Sequence, residues 1–441
     1  MDETEGTSQI KTRVRLAPRT MTEGLAVVFI LGLLLFCAWP RTEAPLRYPD
    51  SFFYVHWPMA SYGPGEPLIP SRRPPGYPLT LRLFGTGQLL MIGQTLFSLA
   101  GFSLLGWSLG RVLGVIVLGG LALAPAIAPW NDAVLTESTS LACLAWLFFL
   151  SMEILKSGEG RNQKGWMGEW IPPLQAETTR IGPLITLWGI VAIYFALLRD
   201  TNGLILPLFG LCFLRLGKRW FALAVLFILA LGIGNTLQAD REGRYQVPYA
   251  TALLTRTLSQ PGELDRLREL GMPPYTMPVS EEMREWLAQG GRRIYESWVI
   301  TRLDSYTAFI PFLHAPHVSE LFRETYFARG YRPGPGESIA EIVWWSLSLP
   351  FALFLTLLAL PWIDYRIRGQ VGVPAAIAAL LVPITYMVGF VTYHGAGSEE
   401  YRHMLIALVL YRIAFIFAGW SLLTTAKNRI QAFRPDRPLL P

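Results

Sequence analysis

Long apolar runs alternate along the chain with shorter polar connections. Most runs approach the roughly 20 helical residues needed to cross ~30 Å of hydrocarbon. This pattern predicts an all-α fold, a polytopic membrane protein of about ten transmembrane helices. The fifth and sixth runs are short for full spans. The runs are 23–40, 83–108, 112–130, 133–152, 183–198, 202–216, 220–238, 341–363, 371–393 and 404–420.

The composition indicates a membrane environment. Hydrophobic residues form 52% of the 441 and charged residues 16%, against roughly 25% charged residues in soluble domains. The net charge of +6 comes from basic residues in short loops between apolar runs, a feature of membrane topology and not of nucleic-acid binding. Cys37, Cys143 and Cys212 lie within apolar runs, without the spacing of a metal site or a disulfide framework.

Loop charges predict the orientation of the chain. Basic residues concentrate in the N-terminal segment 1–22, in alternate loops and in the tail 426–441, which the positive-inside rule assigns to the cytoplasm. Lys11 and Arg13 before the first run imitate a signal peptide, but no small-residue cleavage site follows cleanly. We therefore expect an uncleaved first helix, both termini in the cytoplasm, and a multi-pass location in the cytoplasmic (inner) membrane.

The loops predicted on the opposite side carry acidic residues, histidines and isolated arginines. A charge at the centre of a bilayer costs roughly 3 kcal/mol or more, so such residues persist near a membrane when they are paired, solvated or functional. Their common side predicts one polar cavity open to the extracytoplasmic face. These segments are 41–82, 130–137, 199–203, 239–340 and 393–402.

The stretch 239–340 is longer and more polar than the other connections. Residues 264–270 and 281–302 have helical periodicity with an apolar stripe, and proline-rich breaks separate them. We expect an extracytoplasmic helical cap here. It would join a transmembrane module at 23–238 to the C-terminal transmembrane helices at 341–425.

The first extracytoplasmic loop, 41–82, holds the strongest candidate chemistry. It contains Asp50, and Arg72 and Arg73 stand directly before a double-proline turn. A carboxylate can accept a proton from an incoming nucleophile, and guanidinium groups can grip a phosphate at two points. The alternatives are a solvated acid or a turn cap for Asp50, and snorkelling towards lipid headgroups for the arginines.

Three further candidates stand at the boundaries of later apolar runs. Glu137 follows Thr136 at the fourth run, where it is either a second site carboxylate or a residue that complements the helix dipole. Arg199 and Asp200 either face the cavity or form a local ion pair that holds a turn.

The last extracytoplasmic loop leads into the final run with a dense polar cluster. Arg402 lies at the predicted membrane surface, where it can bind phosphate with Glu400 orienting it, and His394 stands nearby. The histidines and glutamates lack the spacing of a zinc motif, so we expect no protein-bound metal centre. A divalent cation that bridges Asp50 and a phosphate is an open alternative.

Four short patterns occur in order along the extracytoplasmic segments. They are Tyr48-Pro-Asp50 followed by Tyr54, Arg73-Pro-Pro-Gly-Tyr77, Thr136-Glu-Ser138 and Glu400-Tyr-Arg402. Together they resemble the GT-C superfamily of integral-membrane glycosyltransferases, which includes protein O-mannosyltransferases and the bacterial aminoarabinose transferases that use polyprenyl-phosphate sugars. Many relatives have Asp-Glu in the first loop, whereas Ser51 follows Asp50 here.

That resemblance implies roles for individual residues. Asp50 would be the catalytic carboxylate and Glu137 a second acidic residue of the site. Arg73 would contact the lipid phosphate, and Arg402 would contact phosphate or sugar. The other residues that we expect in the donor site are Arg72, Tyr54, Tyr77, Glu400, His394 and Arg199.

The sequence thus predicts an inverting glycosyltransferase that moves a sugar from a polyprenyl-phosphate-linked donor to an acceptor on the extracytoplasmic face. The acceptor class is open among lipid, polysaccharide and protein; membrane lipids are expected partners and nucleic acid is not. One alternative is a transporter or flippase of lipid-linked saccharides, which typically has repeated halves and polar groups near the midplane. Others are an oligosaccharide ligase or polymerase and a non-catalytic assembly protein.

Overall fold

A computed structural model describes most of the chain, and the described part is predominantly helical. The exception is a two-residue antiparallel pair, β1 (Met59–Ala60) with β2 (Ile69–Pro70). The described residues are 18–40, 44–56, 59–60, 69–70, 73–124, 127–162, 175–253, 262–274, 280–301, 351–368, 371–395 and 400–432.

The helices follow one another with short connections. The first eight are α1 (Pro18–Ala38), α2 (Pro49–Val55), α3 (Gly76–Phe84), α4 (Gln88–Leu121), α5 (Thr136–Asn162), α6 (Gln175–Leu198), α7 (Leu206–Gly210) and α8 (Lys218–Arg241). They are followed by α9 (Gln246–Ala252), α10 (Glu263–Glu269), α11 (Glu281–Trp286), α12 (Arg292–Thr301), α13 (Phe351–Arg368), α14 (Val373–Gly395) and α15 (Glu400–Ala432). Tighter or wider turns occur as 3₁₀ helices at Ala128–Asp132, Asp200–Ile205 and Leu211–Leu216 and as a π turn at Leu287–Gly291.

Six of the described helices are long and apolar enough to cross a membrane, namely α4, α5, α6, α8, α14 and α15. The chain is therefore a helical, multi-pass membrane protein, as the apolar pattern predicts. Helix α1 adds a shorter apolar stretch at Thr22–Ala38. The described residues thus do not confirm the predicted count of ten spans.

One reason for the lower count is a reversal inside α4. Gly110 and Arg111 leave the helical region, with φ values of −150° and 50°. A Cβ added to Gly106 would overlap the backbone of Gly114, and the reverse also holds. Eight residues of straight helix would hold these two glycines about 12 Å apart. The chain therefore folds back at the bend.

This reversal separates the predicted runs 83–108 and 112–130, as the sequence suggests. The second arm, however, ends as a helix at Leu121. Ten helical residues rise only about 15 Å, which is half of the hydrocarbon thickness. The helical part of the second arm is therefore shorter than a full span.

The predicted span 202–216 is not confirmed as a membrane-spanning α-helix. The structure divides this run into a 3₁₀ turn, the short α7 and a second 3₁₀ turn. Pro207 lacks a backbone N–H and stands in the first turn of α7, where it begins a new helix more readily than it continues an old one. Of the predicted span 341–363, only the part from Phe351 onward lies within the described residues.

Contacts between helices distinguish two ends of the bundle. At the end that contains the α4 bend, Arg111 pairs with Glu23 of α1 at 3.0 Å. Lys156 of α5 donates to the carbonyl of Ser108 at 2.6 Å, and Trp420 of α15 contacts Gly110. We call this the hairpin end. The opposite end, where α5 begins and α6 ends, is the loop end.

Helix α5 lies at the centre of the bundle. In its spanning window 78% of the residues are buried, against 17% in the window of α8. Phe148 of α5 packs edge-to-face on Phe209 with ring centroids 4.8 Å apart. Residues at the start of α5 are therefore enclosed by protein, whereas α8 presents most of its surface outward.

Helices α9 to α12 form a second buried cluster beyond the end of α8. Phe390 of α14 packs against it, and the four helices lie where the sequence predicts a cap. That these helices act as a cap on the extracytoplasmic face stays a prediction, and residues 302–350 lie outside the described part. The cluster consists of Ala250, Leu253, Leu267, Met272, Met283, Leu287, Tyr295 and Trp298.

The reversal in α4 predicts that its crossing glycines tolerate no side chain. Gly106→Ala or Gly114→Ala should destabilise the protein by about 1–3 kcal/mol, because the added methyl group overpacks against backbone. Gly120→Ala is the matched control, since nothing lies within 4 Å of a Cβ there. Thermal unfolding in detergent should give lower melting temperatures for the first two variants alone. Three equal melting temperatures would contradict the close crossing.

Candidate functional site

The first long loop is fixed to the segment that precedes α5. The backbone N–H of Leu46 donates to the carbonyl of Asp132 at 2.7 Å, and that of Val134 donates to the carbonyl of Leu46 at 3.0 Å. Leu46 and Ala133 thus form an isolated parallel bridge. The hydroxyl of Ser51 adds a bond to the carbonyl of Val134 at 2.9 Å. Both segments therefore meet at the loop end of the bundle.

Helix α2 presents the candidate carboxylate. Pro49 occupies the first helical turn, where its missing N–H costs no hydrogen bond. The backbone N–H of Tyr48 donates to the hydroxyl of Ser51 at 2.9 Å. This bond fixes the direction in which the chain enters α2. Asp50 stands in the first turn, a position in which the helix dipole favours a negative charge.

Asp50 and Arg73 form an ion pair, through Oδ1 of the carboxylate and Nη2 of the guanidinium. Their side chains are 20% and 32% exposed, so solvent or a ligand reaches both groups. The guanidinium carbon of Arg73 lies 5.6 Å from the ring centroid of Phe53 and 5.7 Å from that of Tyr54, within the range of cation–π attraction. Two residues that the sequence predicts for the site are thus in contact.

Tyr77 connects this pair to the interior of the bundle. Its buried hydroxyl donates to Gln94 Oε1 at 3.0 Å and approaches the carbonyl of Ala133 at 3.3 Å. Its ring meets that of Tyr54 edge-to-face, with centroids 5.2 Å apart. Burial, and then the nearby Tyr54 and Glu137, raise the pKa of Tyr77 well above its ordinary value. The hydroxyl therefore stays protonated and acts as a donor.

The start of α3 packs directly on the end of α6. A Cβ on Gly76 would lie 2.7 Å from the carbonyl oxygen of Leu197, closer than real Cβ contacts, so only glycine allows this approach. One turn further on, the hydroxyls of Thr80 and Tyr194 are in contact. This packing holds the end of α6, which Arg199 follows, against the start of α3.

Glu137 and Arg199 form a second, more deeply buried ion pair. The distance between Glu137 Oε1 and Arg199 Nη2 is 3.5 Å, and the two side chains are 0% and 11% exposed. Glu137 lies in the first turn of α5, so the dipole explanation and the site explanation both fit its position. A buried carboxylate needs such a partner, because desolvating an unpaired charge costs several kcal/mol.

A third pair involves a residue that sequence reasoning missed. Arg244 has a side chain only 2% exposed and lies 2.9 Å from Asp200 and 3.1 Å from Glu242. The printed sequence offers only a mixed-charge stretch after an apolar run as a signal. The structure thus connects Asp200 to Arg244 and Arg199 to Glu137, and the local ion pair between Arg199 and Asp200 stays a prediction.

Buried amide groups near the start of α5 were also missed. The Gln94 side chain donates to the backbone carbonyls of Asn131 at 2.9 Å and Ala133 at 3.2 Å. The hydroxyl of Ser138 donates to the Asn131 side chain. Irregular backbone at membrane depth needs such internal partners, so these residues fix the turn that precedes Glu137.

Several residues expected in the site cannot be placed by side chain. Arg72 lies outside the described residues. His394 is in the last turn of α14, and Glu400 and Arg402 are in the first turn of α15, but their side chains are outside the described part. Among the residues whose side chains are described, no three His, Cys, Asp or Glu lie close enough to hold a metal ion. A divalent cation at Asp50 stays a prediction.

Comparison with known proteins does not extend this picture. The chain matches no protein-family model, no curated protein and no solved structure. The fold and the loop end therefore define the class of the protein, a multi-pass helical membrane protein with buried ion pairs at its loop end. The resemblance to GT-C glycosyltransferases stays a prediction from four short patterns.

The buried pair predicts a strong coupling between Glu137 and Arg199. Either Glu137→Gln or Arg199→Gln should destabilise the protein by about 3 kcal/mol or more, because each leaves a buried charge without its partner. The double variant should lose clearly less than the sum of the two single losses. Unfolding in denaturant, monitored on all four proteins, measures the coupling.

The exposed pair Asp265–Arg268, with side chains 77% and 52% exposed, provides the control. Arg268→Gln should change stability by less than about 1 kcal/mol. Strict additivity at Glu137 and Arg199 would show that the two charges do not depend on each other.

Proposed function

We propose that the protein is an integral-membrane glycosyltransferase that takes a sugar from a polyprenyl-phosphate-linked donor and transfers it with inversion at the anomeric carbon. The observation that carries the proposal is the partly exposed Asp50–Arg73 pair at the loop end. It combines a carboxylate with a rigidly presented guanidinium, beside the aromatic rings of Phe53 and Tyr54. The carboxylate can take the proton that the acceptor loses, and the guanidinium can hold the polyprenyl phosphate that leaves the sugar.

In this proposal Asp50 acts on the acceptor. Its carboxylate takes the proton of the acceptor hydroxyl or amine as that atom attacks the anomeric carbon. The new bond forms on the face opposite the departing phosphate, and the bond between the anomeric carbon and the phosphate oxygen breaks. The electron pair of that bond leaves with the polyprenyl phosphate.

Arg73 acts on the donor. A guanidinium has five N–H donors in one plane, which suits two-point contact with phosphate oxygens. The contact with Asp50 uses Nη2. A fixed positive charge beside the phosphate lowers the energy of the charge that develops as the bond breaks. Glu137 and Arg199 provide a second pair of charges, and Glu137 is one of the groups that raise the pKa of Tyr77.

The charges at the hairpin end support the proposed side of the membrane. Arg111 and Lys156 lie there, and basic connections favour the cytoplasm. The loop end with Asp50 is then extracytoplasmic, in an inner or equivalent membrane. A lipid-linked donor suits this arrangement, because its phosphate stays at the membrane surface while its tail lies against the helices.

A second candidate function has one specific observation in its favour. Arg412 is 3% exposed and lies within the spanning window Leu405–Lys427 of α15. Ionisable residues inside membrane spans often mark transport pathways. This observation favours a transporter or flippase of lipid-linked saccharides. In liposomes, flipping that is lost in Arg412→Gln and kept in Asp50→Asn would select this second candidate.

The first test of the proposal is release of polyprenyl phosphate from a panel of polyprenyl-phosphate sugars by the purified protein. Asp50→Asn should reduce the rate by roughly 10²-fold or more, because the general base is lost. Arg73→Ala should mainly weaken use of the donor. Asp265→Asn is the control, because its exposed carboxylate belongs to α10 of the second cluster. Full turnover by Asp50→Asn would remove the assigned base.

The ion pair also predicts competition between Asp50 and the donor phosphate for Arg73. Asp50→Asn should bind polyprenyl phosphate roughly fivefold more tightly, since a partly exposed pair contributes about 1 kcal/mol. Arg73→Gln should bind it more weakly. Equilibrium binding in nanodiscs measures both. Weaker binding by Asp50→Asn would mean that the carboxylate holds the phosphate site together and does not compete with the ligand.

A further inference from the structure

Five charged groups of alternating sign run from the buried start of α5 to the link between α8 and α9. Their members are Glu137, Arg199, Asp200, Arg244 and Glu242, and we call them the charge ladder. The distances between the charged groups are 3.5 Å for Glu137 to Arg199, 2.9 Å for Asp200 to Arg244 and 3.1 Å for Arg244 to Glu242. Arg199 and Asp200 are neighbours in the chain.

We propose that Arg244 is a positioning residue for Arg199. By holding Asp200, Arg244 prevents that carboxylate from turning to the adjacent Arg199, so the guanidinium of Arg199 stays directed towards Glu137 and able to attract the donor phosphate. This inference rests on the proposed function, because it assigns Arg199 to the same anion site.

The placement of Arg244 is fixed by the local backbone. Gly243 has a φ of +61°, a conformation that glycine adopts without strain. The backbone N–H of Arg244 then returns to the carbonyl of Ala239 at 3.0 Å. Its guanidinium, 2% exposed, lies between two carboxylates and approaches the carbonyl of Asn235 at 3.4 Å. The guanidinium of Arg244 therefore has little freedom to move if the side chain of Asp200 moves.

Asp200 interacts with both arginines. Removal of water raises the pKa of its carboxyl, and Arg244 opposes that shift more strongly than Arg199 does. Asp200 therefore favours Arg244 in the intact protein but also feels the charge of Arg199. Without the positive charge of Arg244, Arg199 is the remaining positive charge that acts on Asp200.

The loop that carries Arg199 and Asp200 has an anchor of its own. The side-chain amide of Asn202 donates to the carbonyl of Phe195 at 2.8 Å and to the hydroxyl of Ser140 at 3.2 Å. These bonds do not involve Arg244. A change at Arg244 therefore alters the distribution of charge while the loop keeps its attachment to α5 and α6.

The test is equilibrium binding of polyprenyl phosphate to the full-length protein in nanodiscs. Arg244→Gln should lower the affinity about fivefold, because Asp200 then neutralises Arg199. Asp200→Asn should bind at least as tightly as the wild type. The double variant Arg244→Gln with Asp200→Asn should regain the wild-type affinity. Arg284→Gln is the matched control, since Arg284 pairs with Glu281 within α11 of the second cluster and should leave the affinity unchanged.

Each outcome bears on one claim. Recovery in the double variant, with melting temperatures measured alongside, supports the positioning role. A double variant as weak as Arg244→Gln overturns it, because a purely structural loss gains nothing from removing Asp200. An affinity loss in Asp200→Asn overturns it as well and does not depend on Arg244→Gln folding. A wild-type protein that binds no polyprenyl phosphate removes the proposed function itself.

Discussion

The loop end of this protein depends on mutual neutralisation of charges in a place where water is scarce. A carboxylate enclosed by protein at the edge of a bilayer stays ionised only beside a cation. Glu137 meets this condition through Arg199, and the partly exposed Asp50 also has a cation beside it, Arg73. The Glu137–Arg199 pair joins elements distant in sequence and the Asp50–Arg73 pair closes one loop, so both pairs hold segments of the loop end together. Two further contacts hold these segments together. Gly76 packs against the backbone at the end of α6, and the hydroxyl of Ser51 donates to the carbonyl of Val134 just before α5.

Much of this arrangement could be predicted from the printed residues. Runs of apolar residues identify membrane helices because the bilayer allows few alternatives. The proximity of Asp50 and Arg73 was foreseeable, since both stand in one loop and a double proline restricts the second. The helical stretches near 264–270 and 281–302 were also foreseeable, because an amphipathic stripe reports burial against a neighbour.

Other features depend on partners that periodicity does not reveal. The bend at Gly110 and Arg111 falls between two predicted runs, but the helix of the second arm ends at Leu121, inside an apolar run, so run length alone misjudges that arm. Arg244 resembles any solvated loop cation in the sequence, and only the folded chain places it beside Asp200. The Glu137–Arg199 pair joins helices α5 and α6 through contacts more than sixty residues apart, a separation for which single-sequence patterns carry no signal.

The bridge between Leu46 and Ala133 has a consequence for how this loop can vary. Its hydrogen bonds join backbone to backbone, so they tolerate many side chains at both positions. The number of residues from Leu46 to Asp50 is a stricter constraint, because adding or deleting one residue shifts each later side chain to another direction. Homologous chains should therefore keep the number of residues between Leu46 and Asp50 even where the residue types differ. An alignment gap inside 46–50 would mark a protein that has lost this carboxylate's orientation.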